Sequence, residues 1–278
     1  MTSVSYITHD APSLHCPRIL CLHGGGTNAR IFRAQCRIIS RYLEGTFRLV
    51  FAEAPFLSKA GPDVLSVYKA HGPFKCWLPW SATSPADINP FFAVDMLDDS
   101  LTAAMEEDDR AGATGPWVGL LGFSQGAKIC ASLLYRQQRL LEQFGPTHPG
   151  VMQWRFAILL AGRGPLINLD PGLAMAEEAV SQVLTSSVLY LPTVHVHGTL
   201  DPGLHEHQKL FDRWCAEGTA QLMEWEGHHR VPIKRKDVIP LVAHILRVAY
   251  ETGSLSGESD LKEPFVTVAN PFVSSVAV

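Results

Sequence analysis

No two of the six cysteines form a C-x-x-C pair; Cys16, Cys21, Cys36, Cys76, Cys130 and Cys215 are scattered through 278 residues. That scatter argues against a disulfide framework or a zinc ribbon and reads as reduced thiols in an intracellular, cytoplasmic protein. No apolar run reaches 18 residues, so no membrane-spanning helix is expected. Residues 1–15 are polar and lack a basic stretch followed by an apolar core, so no signal peptide is expected either. Positive charge is not in excess: 23 Lys and Arg face 27 Asp and Glu, a formal charge of −4. A nucleic-acid footprint and an anionic-membrane patch are therefore not expected. No repeat of solenoid period is visible. Charged residues make up only 18% and hydrophobic ones 46%, which excludes wholesale disorder. A chain of this length buries about three quarters of its unfolded surface and needs no metal or disulfide staple.

What is present is alternation. Short aliphatic runs at Arg18–Leu22, Phe47–Ala52, Trp117–Leu121, Phe156–Leu160, Thr193–Val196 and Gln221–Trp225 read as strands. Apolar residues at helical spacing fill Asn28–Tyr42, Phe91–Arg110, Ala127–Leu141, Leu204–Ala216 and Val238–Tyr250. Strand and helix in turn predict a mostly parallel sheet with helices on both faces, the α/β class. We expect one domain over residues 1–252 and a C-terminal tail over 253–278. Within the domain, residues 55–92 are rich in Pro, Gly, Ser and aromatics and predict an irregular cap over a substrate pocket. Phe74, Trp77, Trp80, Phe91 and Phe92 are its candidate apolar wall, because apolar clefts with few polar groups hold such ligands.

The chemistry centres on Gly122-Phe-Ser124-Gln-Gly126, which fits G-x-S-x-G. A strand precedes it and a helix follows, the setting a nucleophile elbow requires. Glycine on either side removes Cβ atoms that would crowd the sharp turn, and the helix N-terminus aims backbone N–H groups at the hydroxyl. A serine hydroxyl needs an adjacent base, and that base needs an orienting acid. Asp201, in His197-Gly-Thr-Leu-Asp201, follows a strand at the edge where ligands bind in such sheets. The rival acid, Asp170, lies deep in a loop before Pro171-Gly172. His228 and His229 also follow a strand; on an extended backbone they point to opposite sides, so one of the two can face Ser124. The oxyanion needs two donors: the amide of Gln125 and one from the Gly24-Gly25-Gly26 loop, where a side chain would block approach. For His23 we expect a structural hydrogen bond.

Other readings are weaker. His195 with His197 could share a metal, but no histidine–carboxylate set stands at metalloprotease spacing, so neither metal nor cofactor is expected. Cys130 sits within the helix after the elbow and reads as core. A non-catalytic binding protein on the same scaffold would usually have lost one of Ser, His or acid.

Four segments resemble the signatures of the family of serine hydrolases: Leu22-His-Gly-Gly-Gly-Thr-Asn-Ala-Arg-Ile-Phe32, Gly122–Gly126, His197–Asp201 and Gly227-His-His-Arg-Val-Pro232. That group consists of α/β-hydrolases and includes fungal esterases and thioesterases that release polyketide chains. The family's element G-G-H-x-x-P implies His229 as the base, three residues before Pro232, with His228 in place of the second glycine. The glycine-rich segment is similar to the fungal biosynthetic branch. The resemblance implies a serine hydrolase of secondary metabolism acting on acyl thioesters or esters, with a polyketide acyl carrier protein as transient partner. General carboxylester hydrolysis is the alternative.

Overall fold

The computed structural model describes residues 13–79, 90–169 and 188–256, with residues 90 and 91 as backbone alone. Trp80, the ring of Phe91, Asp170 and the expected tail from residue 257 onward lie outside that range.

The elements run β1 (Arg18–Leu22), α1 (Ala29–Gln35), α2 (Arg37–Leu43), β2 (Arg48–Ala52), β3 (Phe56–Ser58), α3 (Val64–Tyr68), β4 (Phe74–Cys76), α4 (Pro90–Arg110), β5 (Trp117–Phe123), α5 (Gln125–Phe144), β6 (Phe156–Leu160), β7 (Thr193–Gly198), α6 (Leu204–Trp214), β8 (Ala220–Trp225) and α7 (Arg235–Glu251). Six of the strands form one parallel sheet in the order β2-β1-β5-β6-β7-β8. This is an α/β-hydrolase-like arrangement. Successive residues of a strand face opposite sides, and both sides are covered. Ile19 and Cys21 of β1 pack with Phe32, Ile39, Leu43, Leu241 and Ile245 of α1, α2 and α7. Leu20 and Leu22 pack with Leu97, Leu101, Ile129, Leu133 and Leu210 of α4, α5 and α6. β1, β5 and β6 are thus buried on both faces and read as unbroken aliphatic runs, whereas β7 carries His195 and His197 and the edge strand β8 buries only Met223.

The helix expected over 28–42 is two helices. Cys36 takes φ −82° and ψ 3°, which ends α1 and starts α2. Phe32, Cys36, Ile39 and Leu43 still fall in one buried cluster, so the apolar period runs straight through the break. Residues 55–79 are also more ordered than expected: β3 and β4 pair antiparallel, with α3 between them.

Chain order and sheet order part company between β1 and β5: the chain leaves β1 for β2 on one side, then returns to β5 on the other. Ligands in open α/β sheets bind beyond the carboxyl ends of strands at such a switch point. At the opposite end, the paired residues Arg18 and Arg48 converge on buried Asp108; Arg48 Nη2 lies 2.6 Å from Asp108 Oδ1. No helix among the described residues is long and apolar enough to cross a membrane.

Candidate active site

Ser124 stands between β5 and α5 with φ 54° and ψ −113°, a left-handed backbone that side-chain-bearing residues rarely adopt. Its amide N–H donates to the Leu160 carbonyl at 2.9 Å, tying the turn to β6. A Cβ on Gly122 would overlap the Gly126–Ala127 backbone, and one on Gly126 would overlap the Leu22 carbonyl. Both glycines of the motif are therefore set by close backbone approach.

The acid and histidine loops are stitched to each other. Thr199 N–H donates to the Trp225 carbonyl at 2.9 Å, and Leu200 N–H to the Gly227 carbonyl at 3.0 Å. A side chain at Gly198 would strike the Gly227 carbonyl. This stitching brings His229 between Ser124 and Asp201. Its Nδ1–H donates to Asp201 Oδ2 at 2.6 Å, and its Nε2 lies 2.9 Å from Ser124 Oγ, whose hydroxyl can donate to it. His228 turns outward to solvent, its Nδ1 3.0 Å from the Leu200 carbonyl.

Asp201 is fully buried, and burial alone would raise its pKa. Three N–H groups outweigh that: Gly203 N–H reaches Oδ1 at 2.8 Å, while His207 and His229 both reach Oδ2. The carboxyl is brought down to about 2 and stays ionised. His195 and His197, side by side on buried β7, are pushed the other way. Burial, reinforced by a neighbouring ring, lowers them to about 3 and about 4, so neither carries charge at neutral pH. His195 Nε2 meets Thr193 Oγ1 at 3.1 Å, a core role. Asp201, His207 and His229 gather three ligand-type atoms within 4.8 Å, the one such group among the described residues. Asp201 Oδ2 already serves both rings as acceptor, so an ion seated there would break both hydrogen bonds.

On the other side of Ser124 lies the glycine loop after β1. Gly26 N–H is committed to the Lys75 carbonyl at 2.8 Å, which leaves Gly24 and Gly25 as candidate donors. A Cβ on Gly24 would press on the Phe123 ring at 2.9 Å. Gln125 opens α5, where first-turn amides lack an intrahelical acceptor. His23, fully buried, has the structural role expected of it. Its Nδ1 lies 2.8 Å from the Gly24 carbonyl, and its Nε2 accepts from Ala54 N–H at 3.1 Å.

The expected aromatic wall needs correction at Trp77. This ring is 0% exposed, lies against His23 at 5.2 Å between centroids, and donates Nε1–H to the His23 carbonyl at 2.7 Å. It packs in the buried cluster with Leu20, Leu22 and Ala54; a large ring with one donor gains most when wholly buried and paired. Phe74 is half-buried and Phe92 is exposed.

Sequence reasoning missed three contributors. The Gln125 side chain clamps the segment above it: its Oε1 accepts from Trp77 N–H at 2.8 Å, and its Nε2 donates to the Leu78 carbonyl at 2.9 Å. Asn28 caps α1 through Ile31 N–H and also donates to the carbonyls of His71 and Pro73. His207 holds Asp201, and its position six residues after the acid, in the first turn of the next helix, is the signal that could have found it.

A hydroxyl, an imidazole and a buried carboxylate in this chain can carry nucleophilic acyl transfer. Comparison with known proteins agrees in kind. The profile described as serine hydrolase (FSH1) matches residues 13–241. "Esterase pigG" of Monascus ruber is 61% identical over 262 residues, covering 88% of this chain and 96% of that protein. "Probable esterase azaC" of Aspergillus niger is 53% identical over 246 residues, covering 88% and 90%. Among solved structures, that of esterase PE8 covers 84% of this chain and 93% of its own, with 19% identity and a TM-score of 0.48. With that match across most of its length, the chain belongs to the FSH1 family of serine hydrolases.

Proposed function

We propose that this hydrolase cleaves acyl thioesters or esters in secondary metabolism through Ser124, His229 and Asp201. The observation that carries the reading is the unbroken run of hydrogen bonds from Ser124 Oγ through His229 to Asp201. Ser124 Oγ attacks the acyl carbonyl as His229 Nε2 takes its proton. Asp201 holds the ring in the required tautomer and stabilises its charged form. The amides of Gln125 and of Gly24 or Gly25 receive the oxyanion. The tetrahedral adduct then collapses, the C–S or C–O bond breaks, and His229 returns the proton to the departing thiol or alcohol. Water, deprotonated by His229, attacks the Ser124 ester, and the acid and free serine are released.

The thioester reading, with a carrier protein as transient partner in the cytoplasm, is supported by the glycine-rich His23–Phe32 segment and its likeness to the fungal biosynthetic branch. Residues 55–92 are proposed as the cap of the single domain, with Phe74, Phe91 and Phe92 on the substrate side and the position of Trp80 left to the same reading. The naming of the relatives as esterases supports the second reading, carboxylester hydrolysis by the same residues. The test is a paired rate: one acyl group offered as a pantetheine thioester and as an alkyl ester, to the wild type and to Ser124→Ala. Faster thioester turnover, lost in Ser124→Ala, supports chain release. Equal or faster ester turnover moves the substrate to simple esters. An active Ser124→Ala protein overturns the mechanism.

A further inference from the structure

We propose that His207 is a positioning residue for the acid, its Nε2–H fixing Asp201 Oδ2 so that the carboxylate presents one orientation to His229. The inference rests on the Ser–His–Asp reading above and adds a fourth side chain to it.

His207 is wholly buried in the first turn of α6. Its Nε2 lies 3.0 Å from Asp201 Oδ2, the same oxygen that receives His229 Nδ1–H at 2.6 Å. Its Nδ1 lies 2.9 Å from the Gly162 carbonyl, in the loop after β6. Both neighbours are acceptors only, so each contact is a bond when the nitrogen facing it carries hydrogen. The ring therefore sits between two loops: the acid loop after β7 and the loop that follows the strand bonded to Ser124 N–H. With Gly203 N–H on Oδ1 and two imidazoles on Oδ2, the carboxylate cannot rotate without losing a bond.

His207 also acts on the charge of Asp201. A donor on Oδ2 takes up part of the carboxylate's negative charge and helps hold Asp201 ionised. The ionisable groups around His207 are Asp201 on the acid loop, His197 on β7 at 5.7 Å between ring centroids, His229 stacked at 5.9 Å, and Arg163 beyond β6. Burial and Arg163 act against a second proton on His207, while Asp201 and the Gly162 carbonyl act for it, and the balance lies below the ordinary imidazole value. One hydrogen is then the resting complement of the ring, and the geometry assigns it to Nε2, where the acceptor is a full carboxylate.

Two near-isosteres separate the two contacts. In His207→Gln the amide nitrogen can stand where Nε2 stood, towards Asp201; in His207→Asn it can stand where Nδ1 stood, towards Gly162. His207→Asn is expected to lower kcat on the order of tenfold with little change in KM, the cost of loosening the group that orients a general base. His207→Gln is expected to restore most of the lost kcat. An unchanged kcat in a folded His207→Asn protein, a KM that moves as much as kcat, or His207→Gln no better than His207→Asn, would leave His207 as a core residue only and overturn the proposal. If neither variant folds, the wild type decides: ring 15N shifts must show a hydrogen-bearing Nε2 on His207, and an unprotonated Nε2 contradicts the assignment. Ser124→Ala run in parallel keeps the two failures apart. Its activity would remove the triad reading itself, whereas an inactive Ser124→Ala beside a fully active His207→Asn would remove His207 alone.

Discussion

The two flanks of Ser124 are built by different means. On the acid and histidine flank, loops from neighbouring strands β7 and β8 bond to each other through main-chain groups, and the side chains complete a buried network of Asp201, His207 and His229. On the glycine flank the loop after β1 is held from outside the sheet. Residues 55–79 reach it through Lys75, Gly61, Trp77 and the Asn28 and Gln125 side chains. The first flank is set by register within the sheet; the second depends on an appended segment staying in place. Damage to the first should therefore appear in kcat, and damage to the second in stability and kcat together.

The largest effect is expected from Asp201→Asn, which keeps the shape but no longer enforces the His229 tautomer. Steady-state kinetics should show a kcat loss on the order of 10³-fold or more, with the far-UV spectrum and melting cooperativity unchanged. Trp77→Ala attacks the other flank by emptying a fully buried ring site and deleting the bond to the His23 carbonyl. Chemical denaturation should show a loss of about 3–5 kcal/mol. Gln125→Ala leaves the backbone donor but releases Trp77 and Leu78, and kcat should fall on the order of tenfold as the glycine loop loosens. A smaller effect separates the flanks by pH. The Asp201 carboxyl lies below its ordinary 3.8, at about 2, so its bonds stabilise the fold above pH 4 and are lost as pH falls from about 4 towards 2. Unfolding free energies across that window should fall less steeply in Asp201→Asn than in the wild type. Smallest of all, His228→Ala should change kcat less than about twofold, since that ring points to solvent. A large loss there would mean the two histidines had been read in the wrong order.

How far the sequence disclosed this division depends on the kind of constraint each residue meets. Ser124 was legible because Gly122 and Gly126 stand where any Cβ would collide, so geometry is written directly as residue type. The inner strands β1, β5 and β6 were legible because burial on both faces demands aliphatic runs. Asp201 followed from sitting just past such a strand. The choice between His228 and His229 did not follow from alternation, which says only that they diverge; the family's spacing pointed to the ring that the fold turns inward. Trp77 read as pocket wall because aromatic content marks burial without saying against what. His207 was silent because its partners, Asp201 and the Gly162 carbonyl, meet it only once three separate loops converge. The break at Cys36 was hidden by an apolar period that runs through it.

The central claim, that Ser124 is the nucleophile activated by His229 and Asp201, is tested most directly by covalent trapping. A fluorophosphonate incubated with the wild type at neutral pH should add once per chain, and peptide mass mapping should place the adduct on Ser124. Labelling should be slowed on the order of 10²-fold or more in Asp201→Asn and His229→Ala. An adduct on another residue, or undiminished labelling of Ser124 in both variants, would contradict the account.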